Sequence, residues 1–132
     1  MPRTKKLSAP DPVPVSPPEE FWRVAVRAAE SKQAKDLRIL DLRSISAFAD
    51  YFILVSGANT RQIQAIADEV EMQLKKAGDR PLSIEGYDNA EWVLMDYGDY
   101  LVHIFSEKAR AYYDLERLWR DAKVVEPESL TA

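Results

Sequence analysis

Apolar residues change their spacing along this chain, and each spacing predicts an element. From Phe21 they recur at helical intervals. Phe21, Ala25 and Ala28 form a stripe beside Trp22, Val26 and Ala29, while Arg23, Arg27 and Glu30 fall outside it. The preceding Ser16-Pro17-Pro18-Glu19 suits a helix start: Ser can cap, Pro is tolerated at the first helical position, and Glu three residues after the cap can reach back. A helix is predicted from there to about residue 35. Residues 37–42 read as a strand and residues 43–50 as a loop. Tyr51-Phe52-Ile53-Leu54-Val55 is the unbroken apolar run of a central strand buried on both faces. After Ser56-Gly57-Ala58, Asn59 is placed to cap a helix with Gln62 at its third position. Ile63, Ile66, Ala67, Val70 and Leu74 follow at helical spacing until Gly78 ends the run.

Residues 82–84 predict a third strand, and a strand, long helix and strand in succession favour a right-handed parallel crossover. The chain is organised around residues 85–105. There Trp92-Val93-Leu94-Met95 and Tyr100-Leu101-Val102-His103-Ile104-Phe105 flank Asp96-Tyr97-Gly98-Asp99, an antiparallel hairpin with an acidic turn. Period-two geometry puts Trp92, Leu94 and Asp96 on one face and Val93, Met95 and Tyr97 on the other. One face is expected to pack on helices and the other to be offered outward. Ser106 is placed to cap a last helix with Tyr112, Leu115 and Trp119 on one stripe and Ala111 and Leu118 beside it. The expected fold is a single α/β (α+β) domain with a mixed five-stranded sheet packed with helices.

With 132 residues and 46% hydrophobic content, the chain can bury one core but not two. The domain is expected over residues 16–122. Residues 1–15, with Pro2, Pro10, Pro12 and Pro14, cannot offset their ordering entropy by burial and are expected to be disordered. Arg3, Lys5 and Lys6 do not make an amphipathic transit helix, because prolines and acids follow them. Residues 123–132 are expected to be a C-terminal tail, frayed from Val124 onward. The absence of cysteine excludes disulfides, thiolate metal sites and a Cys nucleophile, and fits a reducing compartment. No apolar run approaches the roughly 18 residues of a spanning helix, so a cytoplasmic protein with no membrane contact is expected. A net charge of −4 argues against broad binding to nucleic-acid phosphates.

Candidate chemistry is sparse. A strand followed by residues 57–61 at a helix N-terminus could hold an anion, but one glycine without a following Lys fits neither phosphate-binding pattern, and a capped turn explains it. Asp96 and Asp99 could pair on a divalent metal or share acid–base work, yet turn chemistry accounts for both. His103 is the only histidine, which excludes a multi-histidine zinc site; on an apolar strand it reads as a hydrogen-bonded structural residue. Trp92 has two open readings, a core filler or an interface anchor rimmed by Asp88, Asn89 and Glu91.

The combination resembles the ribosomal silencing factor family, also called Iojap-like. The matching segments are Asp50-Tyr51-Phe52-Ile53 with Ser56-Gly57 and Arg61-Gln62; Glu85-Gly86 followed by Ala90-Glu91-Trp92-Val93-Leu94-Met95-Asp96-Tyr97-Gly98-Asp99; Val102-His103-Ile104-Phe105; and Tyr112-Tyr113-Asp114-Leu115-Glu116-Arg117-Leu118-Trp119. They lie within residues 21–122. The resemblance implies a mixed sheet related to the nucleotidyltransferase fold without its catalytic residues, and therefore no reaction, cofactor or metal. It implies binding to large-subunit ribosomal protein L-fourteen, which sterically blocks joining of the ribosomal subunits and represses translation when nutrients are scarce. Carried onto this chain, the binding surface centres on Trp92, Leu94 and Asp96, with Glu91, Tyr97, Gly98 and Asp99 around them. Glu91 stands where many relatives have Asp, and the proline-rich N-terminus is longer than in the shortest members. A weak homodimer is expected to cover the exposed edges and apolar patch. The rival readings are an enzyme of the nucleotidyltransferase kind, active or degenerate, and a protein adaptor with another partner.

Overall fold

The structure, a computed structural model, describes residues 20–126. Its elements run α1 (Phe21–Ser31), β1 (Lys35–Asp41), β2 (Tyr51–Gly57), α2 (Thr60–Ala77), β3 (Ser83–Glu85), β4 (Trp92–Asp96), β5 (Tyr100–Ser106), α3 (Glu107–Tyr113), α4 (Leu115–Leu118) and β6 (Lys123–Val125). The strands form one mixed sheet in the order β3-β4-β5-β2-β1-β6. The single mixed α+β architecture is as expected, with a sixth strand in place of five.

β2 lies inside the sheet, antiparallel to β1 and parallel to β5, and only Phe52 along it keeps partial exposure. That double burial is why its sequence is apolar without alternation. On one face α1 and α2 cover Ile39, Tyr51, Ile53, Val55, Val93, Met95, Val102 and Ile104. The other face holds a smaller cluster around Leu40, Leu42, Leu54 and Phe105, covered by Ala109 of α3 and Leu115 of α4.

α2 matches its sequence pattern closely. Ile63, Ile66, Ala67, Val70 and Leu74 are all buried. Asn59 Oδ1 accepts from the Gln62 N–H at 2.8 Å, and Gln62 Oε1 accepts from the Ala58 N–H at 2.6 Å, so the turn is a reciprocal cap, worth about 1 kcal/mol. At the other end Gly78 adopts φ 109°, the left-handed conformation that turns the chain so that the Asp79 N–H reaches the Leu74 carbonyl at 2.8 Å.

Several expectations need correction. α1 starts at Phe21 with Glu20 at the cap position and no side-chain cap; the proposed start at residues 16–19 lies outside the described residues. It ends at Ser31, not near residue 35, because Gln33 turns left-handed at φ 62° and the Ala34 N–H returns to the Ala29 carbonyl. Phe21, expected in the stripe, remains exposed at the helix's open end. β1 begins earlier than expected and carries an irregularity before Arg38, where Asp36 takes φ 54°. β3 runs parallel to β2, as the crossover predicts, but not beside it: β5 occupies that place and β4 separates β5 from β3.

The C-terminal third departs furthest. Ser106 does cap α3, its hydroxyl accepting from the Ala109 N–H at 3.0 Å. The helix then breaks at Asp114, whose φ of 49° is left-handed. Asp tolerates that conformation better than most residues. The break turns Tyr112 and Leu118 outward, 80% and 71% exposed, while Leu115 packs inward. Residues 123–125 are not a tail: β6 pairs antiparallel with β1, Ile39 opposite Val125 and Asp41 opposite Lys123. The expected tails at residues 1–15 and 127–132 lie outside the described residues.

Candidate functional site

β4 enters the sheet through a turn that only glycine fits. Gly86 has φ 81°, and a Cβ there would collide with the Trp92 carbonyl. Ala90, also left-handed at φ 54°, donates its N–H to the Gly86 carbonyl at 2.9 Å and closes the turn. From this entry the strand alternates as predicted: Val93 and Met95 are fully buried against the helices, and Trp92, Leu94 and Asp96 lie partly exposed on the opposite face.

Trp92 is both packed and accessible. Its ring lies 5.1 Å from that of Phe105 and 4.7 Å from that of Tyr113. Its indole Nε1–H donates to His103 Nδ1 at 3.1 Å. Indole nitrogen can only donate, so His103 accepts at Nδ1 and carries its proton on Nε2. His103 is 3% exposed, and burial pushes its pKa down to about 3, so the imidazole is neutral. Its lone pair is committed to the indole. This supports the structural reading of His103: it orients Trp92 and has no free basic nitrogen to offer a substrate.

The turn follows. Asp96 Oδ1 accepts from the Gly98 N–H at 2.8 Å, so this carboxylate is used as turn chemistry predicts. Gly98 sits at φ 91°. Asp99 is exposed, and its carbonyl accepts from the Asp50 N–H at 2.6 Å, tying the hairpin tip to the start of β2. Tyr97 lies in the opposite layer: it is buried and stacked on Tyr100 at 4.9 Å, so it supports the turn from beneath. Glu91 is exposed at the far end of β4, where its carboxylate accepts from the Ser106 hydroxyl at 2.7 Å. Of the seven candidate residues, the fold therefore brings Trp92, Leu94, Asp96, Gly98 and Asp99 along one open face, with Glu91 at its end and Tyr97 behind it.

Sequence reasoning missed the rest of that face. Phe52 and Leu101, paired across β2 and β5, form an apolar floor beside Asp96. Phe48 and Leu82 stand over it, 93% and 75% exposed, and Trp119 closes one side of a groove of about 390 Å³. Asp96 is the only charged residue in its lining. The sequence signal was present but ambiguous: an apolar residue in a predicted loop, such as Phe48, can as well tuck inward.

Arg110 was also missed. It is largely buried, donates to Glu116 at 2.7 Å, to the Ser56 hydroxyl at 2.9 Å and to the Asp36 carbonyl at 2.8 Å, and so clamps α3, α4 and the sheet together. The guanidinium holds the Glu116 carboxyl below the usual carboxylate range. Among the described residues, no helix is long and apolar enough to cross a membrane.

Comparison with known proteins agrees with this architecture. The family model described as "Ribosomal silencing factor during starvation" matches residues 15–132. Ribosomal silencing factor RsfS of Bacillus subtilis is 42% identical over 108 residues, spanning 82% of this chain and 92% of the relative. RsfS of Halalkalibacterium halodurans is 41% identical over 112 residues, 85% of this chain and 96% of the relative. A crystal structure of a Chromobacterium violaceum protein superposes with a TM-score of 0.75 at 36% identity, covering 79% of this chain and 87% of that one. With a family match across nearly the whole sequence and the same fold in a solved relative, the chain belongs to the ribosomal silencing factor family.

Proposed function

We propose that this protein represses translation when nutrients are scarce by docking on the large ribosomal subunit through ribosomal protein L-fourteen and sterically blocking the small subunit. The observation that carries the reading is the open half of the second sheet face, where an apolar groove at the Asp96 end of β4 shares its face with the partly exposed Trp92 and Leu94 and the nearby charges are acidic. Ribosomal proteins are generally basic, so Asp96, Asp99 and Glu91 complement such a partner while Trp92 and Leu94 supply the desolvated centre. Gly98 lets the partner approach the turn backbone, and Tyr97 holds that turn from below. The action is steric, takes place in the cytoplasm and requires no reaction, cofactor or metal. The family's own description as a ribosomal silencing factor supports the same partner class.

The test is sedimentation with purified subunits together with a joining assay. The protein is expected to pellet with large subunits, not with small ones, and to reduce formation of joined ribosomes as it is titrated. Equal recovery with small subunits, or undiminished joining at saturation, would overturn the proposal.

A further inference from the structure

A second surface lies beside the first, created by the break at Asp114. The bend between α3 and α4 leaves a concave surface of about 520 Å³, lined by Tyr112, Tyr113, Asp114, Arg117, Leu118 and Arg120. Tyr112 and Tyr113 are 80% and 48% exposed, and their rings meet edge to face at 5.0 Å, so two aromatic planes are presented in different directions. Arg117 and Arg120 are exposed and have no side-chain partner among the described residues. Glu116, adjacent to Arg117 in sequence, is committed to Arg110. Two free guanidiniums against the one carboxylate of Asp114 make this a locally basic surface on a chain of net charge −4.

Exposed tyrosines interleaved with unpaired arginines are the groups that bind unpaired nucleic-acid strands: bases stack on the ring faces, and the planar guanidiniums take phosphates in pairs of hydrogen bonds. A lipid surface would find only Leu118 and the small Ala111 as aliphatic groups to bury, and an acidic protein would leave the ring faces without a matching partner. We infer that the α3–α4 surface is a contact for unpaired RNA, with bases on Tyr112 and Tyr113 and phosphates on Arg117 and Arg120. Tyr113 also touches the Trp92 ring at 4.7 Å, so the RNA contact adjoins the acidic sheet face. That the RNA belongs to the large subunit rests on the function proposed above; RNA binding as such does not. Two adjoining contacts of opposite charge, one for protein and one for RNA, would let a small chain gain avidity on a single particle.

The probe is a fluorescein-labelled oligoadenylate of about ten nucleotides, followed by anisotropy at low salt. The full chain is expected to bind it, and Arg117→Ala/Arg120→Ala to bind at least about tenfold more weakly, with the salt slope reduced by about 1.4 because each single-strand phosphate contact contributes about 0.7. Tyr112→Ala is expected to weaken binding about fivefold or more through lost stacking. The control Lys75→Ala/Lys76→Ala removes the same charge from the exposed end of α2 and should stay within about twofold. In parallel, the arginine variant should lose affinity for intact large subunits and keep its affinity for isolated L-fourteen. No binding by the unaltered chain, unchanged binding in the arginine variant, or an equal loss in the lysine control would overturn the inference. Loss of L-fourteen binding with oligonucleotide binding unchanged would assign the surface to protein and overturn it too. Should isolated L-fourteen fail to bind the protein at all, the oligonucleotide arm still decides, so the two readings fail separately.

Discussion

The Trp92 indole and the His103 imidazole are joined across β4 and β5 by one hydrogen bond of 3.1 Å, from the donor that tryptophan always carries to a nitrogen that burial keeps unprotonated. The bond orients a ring that packs on the second core cluster and stays partly exposed. Trp92 is therefore held by the core on one side and partly exposed on the other.

Trp92→Ala is expected to lower affinity for isolated L-fourteen by about thirtyfold or more, the 2 kcal/mol scale of a central aromatic anchor. It also leaves His103 Nδ1 unpaired in a buried position, so a stability loss of about 1–3 kcal/mol accompanies it without unfolding the domain. Trp22→Ala is the comparison. Trp22 is buried and stacked on Tyr51 at 4.5 Å in the helix-side core, so its truncation should cost about 3–5 kcal/mol while the folded fraction still binds. Thermal melts read beside binding isotherms decide; unchanged binding by folded Trp92→Ala would remove it from the interface.

Stability should fall between pH 7 and pH 5, and His103 should be the cause. Its folded pKa of about 3 lies below the ordinary value of 6.5, so below pH 6.5 the unfolded chain takes up a proton that the folded chain does not. The contribution is fully present above pH 6.5 and declines by about 1.4 kcal/mol per unit as pH drops, about 2 kcal/mol in all by pH 5. Asp41 and Glu116, held below the carboxylate range by Arg43 and Arg110 respectively, release their share only at lower pH. Urea unfolding of the unaltered chain and of His103→Phe, at both pH values, checks this. A variant with the same pH slope would show that another group is responsible.

Arg110 should behave as a structural clamp. Arg110→Ala strands Glu116 half-buried without its partner and frees the Ser56 hydroxyl and the Asp36 carbonyl, an expected loss of about 2–4 kcal/mol. Arg110→Lys should recover only part of it, because an ammonium cannot reach three partners through a rigid fork. Denaturant midpoints for the two variants provide the measurement, and full recovery by lysine would contradict the geometry.

In the free state the protein is expected to form a weak homodimer that covers the groove. Phe48 and Leu82 stand 93% and 75% exposed above an apolar floor, an area a second copy can bury. Light scattering over a concentration series should show mass rising toward the dimer, and Phe48→Ser should hold the protein as a monomer. A constant monomer mass at high concentration would refute it.

Residue spacing alone determined the local elements. The α2 stripe, its Asn59 cap, the Gly78 stop and the alternation of Trp92, Leu94 and Asp96 against Val93 and Met95 are consequences of 3.6- and two-residue periods acting within a few residues, and all appear in the structure. The same alternation placed Tyr97 with Val93 and Met95, and there it is, buried behind the turn with which it was grouped. Tertiary structure decided what periodicity cannot carry. That β5, not β3, lies beside β2 is a contest between strands far apart in sequence. Lys123–Val125 becomes a strand because β1 offers an open edge, which a three-residue polar and apolar mixture does not announce. The α3 stripe failed because Asp114 could leave the helical conformation while Arg110 bound Glu116 and fixed the bend. Phe48 and Leu82 were undecided in the sequence for the same reason: an apolar side chain is buried only if something else in the fold covers it, and above this half of the sheet the described chain provides no cover.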